Sequence, residues 1–206
     1  MIRILFLIFI LPMLSACSRG DASELPLFSP SYRATYDVLS ARNMIVARPA
    51  LVRQGIRPLA LDQARPYMNE LFEALIPDLE KTNITFQMAG HDIILMIQAH
   101  LILDGRGNIV PLMEPRLDSM ARILREHDRT FVAFSGFTSN VRPRTENLSQ
   151  SLLEAEQVAE FFMRRGVHPH RVFINGQGER APVADNSTRE GQLLNHRIEI
   201  RISPLI

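Results

Sequence analysis

The sequence predicts an α+β domain over residues 83–206, a two-layer sandwich in which helices pack on a mixed sheet. Two observations carry this prediction. The final segment alternates Ile198, Ile200 and Ile202 with charged residues, as a strand does, whereas residues 147–162 place apolar side chains at helical spacing. Strand and helix patterns follow one another in the order β-β-α-β-α-β-β.

The first half of this domain shows two strands and a helix. Residues 84–88 alternate between apolar and polar, residues 89–91 suit a turn, and residues 92–103 form an apolar, β-rich run. Residues 104–108 are a loop by composition. Glu114-Pro115 then opens a helix whose buried stripe is formed by Leu117, Met120, Ala121 and Leu124.

The second half shows a strand, a helix and two further strands. Residues 130–135 form a short strand and residues 136–146 a polar loop. Asn147 is the expected N-cap of the next helix, which ends before Gly166. Residues 171–175 form a strand and residues 176–194 a long polar loop. Because Arg197, Glu199 and Arg201 alternate with isoleucines, the last strand is expected to have one solvated face.

The segment that precedes the domain has two parts. Residues 60–79 place apolar side chains at helical spacing, and Pro66 and Pro77 are expected to kink or end that helix. Residues 32–58 are too apolar for a simple linker, so they dock either on a partner or on this chain's own domain. Residues 59–82 are accordingly interpreted as a helical lead-in and residues 83–206 as the domain.

The N-terminus has the pattern of a targeting segment. Arg3 and an apolar run over residues 4–14 match a signal peptide, and the run is too short to span a bilayer. Leu14-Ser15-Ala16-Cys17 resembles the lipobox of bacterial lipoproteins, so residues 1–16 are expected to be removed and Cys17 acylated. Ser18 after the cysteine indicates the outer membrane. Residues 17–58 then comprise the lipidated Cys17, a flexible tether and the possible docking segment.

Composition excludes several functional classes. The formal net charge of +1 leaves no polybasic surface for nucleic acid. Cys17 is the single cysteine, which excludes a disulfide framework and a cysteine-based zinc site. Among six histidines His168 and His170 form the closest pair, and that pair suits a turn better than a metal site. We therefore expect no metal, no cofactor and no catalysis.

Three motifs connect the sequence to a known family. Residues 176–191 fit the pattern G-x-G-E-x-x-P-x-x-x-N-x-T-x-x-G, and residues 195–200 read N-H-R-I-E-I where that family has N-R-R-V-E-I. Residues 147–162 align without a gap with its helix pattern N-x-x-L-S-x-x-R-A-x-x-V-x-x-x-L, and keep its Asn147, Ser151, Ala155 and Val158. The stretch from Asp92 to Ile202 thus resembles the OmpA-like domain of OmpA tails, Pal and flagellar stator proteins. The resemblance implies the sandwich fold, a place in the bacterial envelope facing the periplasm, and peptidoglycan as a partner.

The same resemblance exposes two departures. Family members that hold peptidoglycan bind the diaminopimelate ammonium with an Asp in the loop G-H-T-D, and its carboxylate with an Arg on the following helix. Here the loop reads Gly136-Phe137-Thr138-Ser139, so Ser139 stands at the Asp position and Glu154 at the Arg position. Since a carboxylate repels a carboxylate, the expected site is degenerate.

Three interpretations of this site stay open. In the first, the domain has kept the fold, lost the ligand and become a protein-interaction module. In the second, the site is rewired, so that Glu154 takes the ammonium and Arg142 or Arg144 takes the carboxylate. In the third, weak wall binding persists through backbone groups, Thr138, Asn147 and the Asp104–Asn108 loop.

Two functions follow from these interpretations. One is a non-catalytic outer-membrane lipoprotein that serves as a scaffold subunit of an envelope machine. Its size and layout are similar to those of the small OmpA-like lipoprotein of type IVB (Dot/Icm) secretion systems, and the apolar segment over residues 32–58 favours this function. The other is a tether whose acyl chains lie in the outer membrane while the domain holds peptidoglycan.

Overall fold

The computed structural model describes residues 47–80 and 82–206. The predicted signal peptide, Cys17, the tether and residues 32–46 lie outside this part of the chain. In the described part, five strands form one sheet in the order β1-β2-β5-β3-β4, with β3 parallel to β4 and the other neighbours antiparallel. The strands are β1 (Thr85–Ala89), β2 (Asp92–Gln98), β3 (Thr130–Phe137), β4 (Val172–Gly178) and β5 (Arg197–Pro204).

Helices pack on this sheet. Residues 47–53 are helical, and the helices that follow are α1 (Leu61–Leu79), the short α2 (Ala99–Ile102), α3 (Glu114–Glu126), α4 (Arg144–Arg164) and α5 (Arg189–Asn195), with a 3₁₀ turn over Pro169–Arg171. The predicted α+β class and mixed sheet are confirmed. None of the helices in the described residues has the length and hydropathy of a membrane-spanning segment.

The main core lies between the helices and the sheet. Ile198, Ile200 and Ile202 of β5 are fully buried in it, as the alternation predicted. The apolar face of α1 joins the same core through Met68, Leu71, Leu75 and Leu79, so the helical lead-in packs as part of the domain. That helix continues through Pro66 and ends two residues after Pro77.

Residues 47–59 pack on the domain itself. Leu51 is fully buried in a second apolar cluster with Phe131 and Leu205. The Leu59 amide donates to the Leu205 carbonyl at 2.7 Å, and Arg129 Nε donates to the Arg57 carbonyl at 3.0 Å. Of the two docking sites left open for residues 32–58, the part that the structure describes therefore uses the chain's own domain.

Several predicted boundaries are wrong. The strand predicted over residues 92–103 ends at Gln98, because the chain turns into α2 and the Ala99 amide donates to the His196 carbonyl at 2.9 Å. The loop predicted over residues 176–194 begins later, at the end of β4, and contains α5. Thr188 caps α5, its hydroxyl accepting from the Gly191 amide at 3.0 Å. This helix is too short to show a periodic apolar pattern.

The solvated face predicted for β5 is also wrong. Arg197 and Glu199 are only 2% and 1% exposed. Arg197 Nε donates to Glu199 Oε1 at 2.7 Å, its guanidinium lies 3.9 Å from the centre of the Phe137 ring, and Nη2 donates to the Ala181 carbonyl at 3.1 Å. A charged side chain is tolerated in such a place because it is paired and hydrogen-bonded, and a periodicity of charges cannot reveal those partners.

The position of α4 depends on its close approach to β3 and β4. A Cβ atom added at Gly136 would lie 1.9 Å from the Ser151 carbonyl oxygen, and one at Gly176 would lie 2.7 Å from Leu152 Cβ. The Ser151 hydroxyl, which is fully buried, accepts from the Gly178 amide at 2.9 Å. Only glycines leave room for a helix backbone this close to the sheet.

We expect Gly136→Ala to destabilise the protein by at least about 2 kcal/mol, because its methyl group would meet backbone that cannot move without displacing α4. Urea denaturation followed by circular dichroism measures the change. Gly105→Ala is the matched control, since an added Cβ there meets nothing within 4 Å. Equal stability of the two variants would contradict the close-approach interpretation.

Candidate functional site

Two adjoining clefts lie where α4, α5 and the loops after β3 and α2 meet. The larger cleft has a volume of about 520 Å³ and the smaller one about 280 Å³. Arg142, Gln150 and His196 border both, so the two form one continuous depression. Asp104 and Glu154 border the larger cleft, whereas Thr138, Ser139 and Asn147 border the smaller one. The structure thus brings together most of the residues that the sequence indicated.

Glu154 reaches the larger cleft because of its rotation on α4. Ala155, Val158 and Phe162 face the core, and this orientation turns Gln150, Glu154 and Gln157 towards the cleft. Residues spaced by three and four positions lie on one side of a helix. The close contact of Ser151 with β3 therefore fixes where the Glu154 carboxylate lies.

The Glu154 carboxylate has partners within the protein. Gln150 Nε2 donates to its Oε1 at 2.8 Å, and His196 Nε2 lies 2.9 Å from Oε2 and 3.0 Å from Oε1. The side chains of Glu154 and His196 are 15% and 30% exposed. A group approaching this position would meet a carboxylate that is already oriented and contacted by an imidazole.

Asp104 uses its oxygens to shape the loop at the edge of the larger cleft. Its Oδ1 accepts from the Arg106 amide at 2.8 Å and from the Asn108 amide at 2.9 Å. These backbone hydrogen bonds lower the pKa of the Asp104 carboxyl. Asn108 Nδ2 also donates to Oδ2 at 3.3 Å, and Asn108 borders neither cleft. Both residues therefore stabilise the turn.

Thr138 and Ser139 border the smaller cleft directly after β3. The Thr138 amide donates to the Gly178 carbonyl at 2.8 Å, which extends the pairing of β3 with β4. Thr138 is 5% exposed, and its hydroxyl is buried with no hydrogen-bond partner in the described residues. Ser139 is half-buried beside it. A buried hydroxyl without a partner is uncommon and costs stability.

Asn147 is not the N-cap of α4, because the helix begins at Arg144 after Pro143. Pro143 has the fixed φ that suits the start of a helix. Asn147 instead lies inside the first turns, 1% exposed, and its Nδ2 donates to the Arg142 carbonyl at 2.8 Å and to Glu179 Oε2 at 2.9 Å. Its function in the site is thus to hold the Arg142 loop.

The two candidate arginines, Arg142 and Arg144, differ in their position relative to the clefts. Arg142 borders both clefts, and its guanidinium has no hydrogen-bond partner among residues 47–80 and 82–206. Arg144 is exposed at the first position of α4 and borders neither cleft. The geometry therefore favours Arg142 over Arg144 as a ligand contact.

Sequence reasoning missed two residues of the site. His196 was visible as a departure, because it stands where the family pattern has the first Arg of N-R-R, but nothing linked it to a residue 42 positions earlier. Arg189 borders the smaller cleft as the first residue of α5, a helix that was predicted as loop. Glu154 and His196 both depart from the family pattern, and this shared departure is the sequence signal that could have predicted their contact.

The part of the chain that forms the clefts matches a known protein family. Residues 104–196 match the OmpA family. These residues form an OmpA family domain. They include β3, α4, β4 and α5, together with every residue that borders the smaller cleft.

Relatives of the OmpA family domain are envelope proteins. The probable lipoprotein YiaD of Escherichia coli is 30% identical over 141 residues, which cover 68% of this chain and 64% of YiaD. Outer membrane porin F of Pseudomonas fluorescens is 32% identical over 84 residues, covering 41% of this chain and 26% of the porin. The chain therefore spans less than two thirds of either relative.

Solved structures support the fold. A putative MotB-like protein from Desulfovibrio vulgaris superimposes with a TM-score of 0.61 at 21% identity, covering 69% of this chain and 95% of that one. The cell wall anchor of the T6SS from Pseudomonas aeruginosa gives a TM-score of 0.58 at 22% identity, covering 65% and 96%. At such identities the likeness concerns the arrangement of helices and strands.

A double-mutant cycle tests the contact between Glu154 and His196. We expect Glu154→Gln and His196→Ala to show a coupling of about 1 kcal/mol in unfolding free energy, because both side chains are largely shielded from solvent. Arg122 and Glu126 form a matched exposed pair, 55% and 58% exposed, whose coupling should stay below about 0.5 kcal/mol. Additive effects at Glu154 and His196 would contradict the pairing.

Proposed function

We propose that this chain is a non-catalytic outer-membrane lipoprotein whose OmpA family domain serves as a scaffold in the cell envelope. In this proposal the domain does not hold peptidoglycan by the two-charge contact of the family. A single observation carries the proposal. Glu154 stands at the position of the family's Arg, and its carboxylate is held by Gln150 and His196.

The chemistry of the cleft supports the loss of that contact. A diaminopimelate end presented in the family's orientation would bring its carboxylate towards Glu154 and its ammonium towards Ser139, which offers no charge. Each charged hydrogen bond contributes about 1.5–3 kcal/mol. Losing both amounts to roughly two to four orders of magnitude in affinity, at about 1.4 kcal/mol per factor of ten.

The scaffold assignment has independent support. The N-terminal pattern ending at Cys17 is typical of an acylated lipoprotein, and the relative YiaD is a probable lipoprotein. A protein with the same fold is the cell wall anchor of the T6SS from Pseudomonas aeruginosa, a description that fits a component of an envelope assembly and also fits the wall tether that is the second candidate. We extend the proposal to a type IVB secretion system, where a lipoprotein of similar layout is DotK (IcmN).

A wall tether with a rewired cleft is the second candidate. It is favoured by Arg142, which borders both clefts and has no partner in the described residues, so that its guanidinium is available for a carboxylate. The weak-binding alternative has less support, because Asp104, Asn108 and Asn147 already use their polar groups within the protein.

Sedimentation with isolated sacculi separates these functions. We expect the full chain, purified in a non-ionic detergent, to stay in the supernatant, because neither charge of the family contact is present. Ser139→Asp/Glu154→Arg should sediment, since it restores both charges. The control Ser149→Asp/Glu156→Arg makes the same changes at exposed positions of α4 that border neither cleft, and it should stay in the supernatant.

Strong sedimentation of the unaltered chain would refute the scaffold proposal and favour the tether. In that case Arg142→Gln would report whether the rewired cleft is responsible. Affinity purification from native membranes after chemical cross-linking tests the scaffold directly. Recovery of this chain without any other envelope protein would count against it.

A further inference from the structure

The smaller cleft differs in charge from the rest of the site. Arg142 and Arg189 border it, and no Asp or Glu is among its bordering residues, whereas the imidazole of His196 at its edge contacts the Glu154 carboxylate. The larger cleft next to it contains the two carboxylates, Asp104 and Glu154. The smaller cleft is therefore a locally cationic surface on a chain whose formal net charge is only +1.

The two arginines are available for a ligand. Neither Arg142 nor Arg189 makes an ion pair or a side-chain hydrogen bond within the described residues. By contrast, Arg164 pairs with Glu160 at 2.8 Å, and Arg201 pairs with Asp92. A planar guanidinium that is free of a partner matches the two oxygens of an oxyanion.

The backbone that carries these arginines is held firmly. Asn147 Nδ2 donates to the Arg142 carbonyl at 2.8 Å. The turn before Arg189 is fixed by Asn195, whose Nδ2 donates to the Ala184 carbonyl and to Asn186 Oδ1, both at 2.9 Å. Asn195 is fully buried. The cationic pair is thus presented by an ordered frame, which reduces the entropic cost of binding.

Polar and apolar groups around the arginines indicate the shape of the ligand. Thr138 borders the cleft and is 5% exposed, and its buried hydroxyl has no hydrogen-bond partner in the described residues. Val141 and Leu193 border the same cleft and are 66% and 42% exposed. A volume of about 280 Å³ accommodates only the end of a chain, with an anion beside a small apolar side chain.

We propose that the smaller cleft binds the C-terminal carboxylate of a partner polypeptide whose last side chain is small and aliphatic. The carboxylate lies between Arg142 and Arg189, and the aliphatic group contacts Val141 and Leu193. This recognition of a chain end rests on the proposed scaffold function and gives it a specific contact. Ser139 is compatible with it, because a carboxylate at that position would repel the ligand.

Titration with short peptides tests the proposal. Acetyl-L-Ala-L-Ala with a free carboxylate is added to the full chain in detergent, and binding is measured by calorimetry. We expect saturable binding that Arg142→Gln and Arg189→Gln each weaken at least about tenfold, because each removes one charge-assisted contact. Arg144→Gln is the matched control; it removes the same charge two positions from Arg142, outside both clefts, and should bind unchanged.

Three further ligands complete the experiment. The C-terminally amidated peptide should not bind, and inorganic phosphate should compete only weakly with the peptide. If the amide binds as tightly as the free carboxylate, or phosphate binds more tightly than the peptide, the carboxylate assignment is overturned. Tighter binding of acetyl-D-Ala-D-Ala than of the L-peptide overturns the polypeptide partner in favour of a wall peptide. Equal weakening by Arg144→Gln also overturns the site, because it would indicate unspecific attraction.

The sacculus experiment keeps the two proposals apart. Sedimentation of the unaltered chain refutes the scaffold function whatever the peptides do. Absence of peptide binding by a chain that stays in the supernatant refutes the cleft alone.

Discussion

The contact between α4 and the two parallel strands β3 and β4 is the constraint on which the site depends. It exists because Gly136 and Gly176 present no side chain to the helix, and because the buried Ser151 hydroxyl accepts from the Gly178 amide. A helix this close to a sheet cannot rotate without a clash between backbones. The rotation of α4 in turn decides that Glu154 borders the cleft while Ala155 is buried in the core.

Glu154 carries a negative charge at the position of the family's Arg, and partners within the protein stabilise that charge. A carboxylate that is 15% exposed needs a partner to offset the loss of hydration. His196 supplies it from the end of α5, and Gln150 supplies a further donor from one turn earlier on α4. The cleft is therefore organised around a different set of contacts. Because Glu154 has these contacts, we interpret the replacement of the family's Arg by Glu as a reorganisation of the site.

The class of fold and most of the core residues could be predicted from the sequence. Buried residues recur every second position along β5, as isoleucines, and every three or four positions along α3, as apolar side chains. Because these periods are those of a strand and a helix, the buried face of each element could be predicted. Asn147 and the pair Arg197–Glu199 could not be predicted in this way. Their environment is set by partners distant in the chain, such as Glu179 for Asn147 and Phe137 for Arg197.

The same distinction applies to the site. Ser139 and Glu154 were recognised because each aligns with a position whose charge is known, and their placement in adjoining clefts follows from the fold. His196 and Arg189 depend on α5, whose seven residues end where β5 pairs with its neighbours. Because that short helix brings Arg189 to the cleft that Arg142 also borders, it contributes to the positive charge of the smaller cleft. Two departures from the family pattern, Glu154 and His196, therefore meet where α5 approaches α4, and Arg142 and Arg189, which have no partner among the described residues, border the cleft beside them.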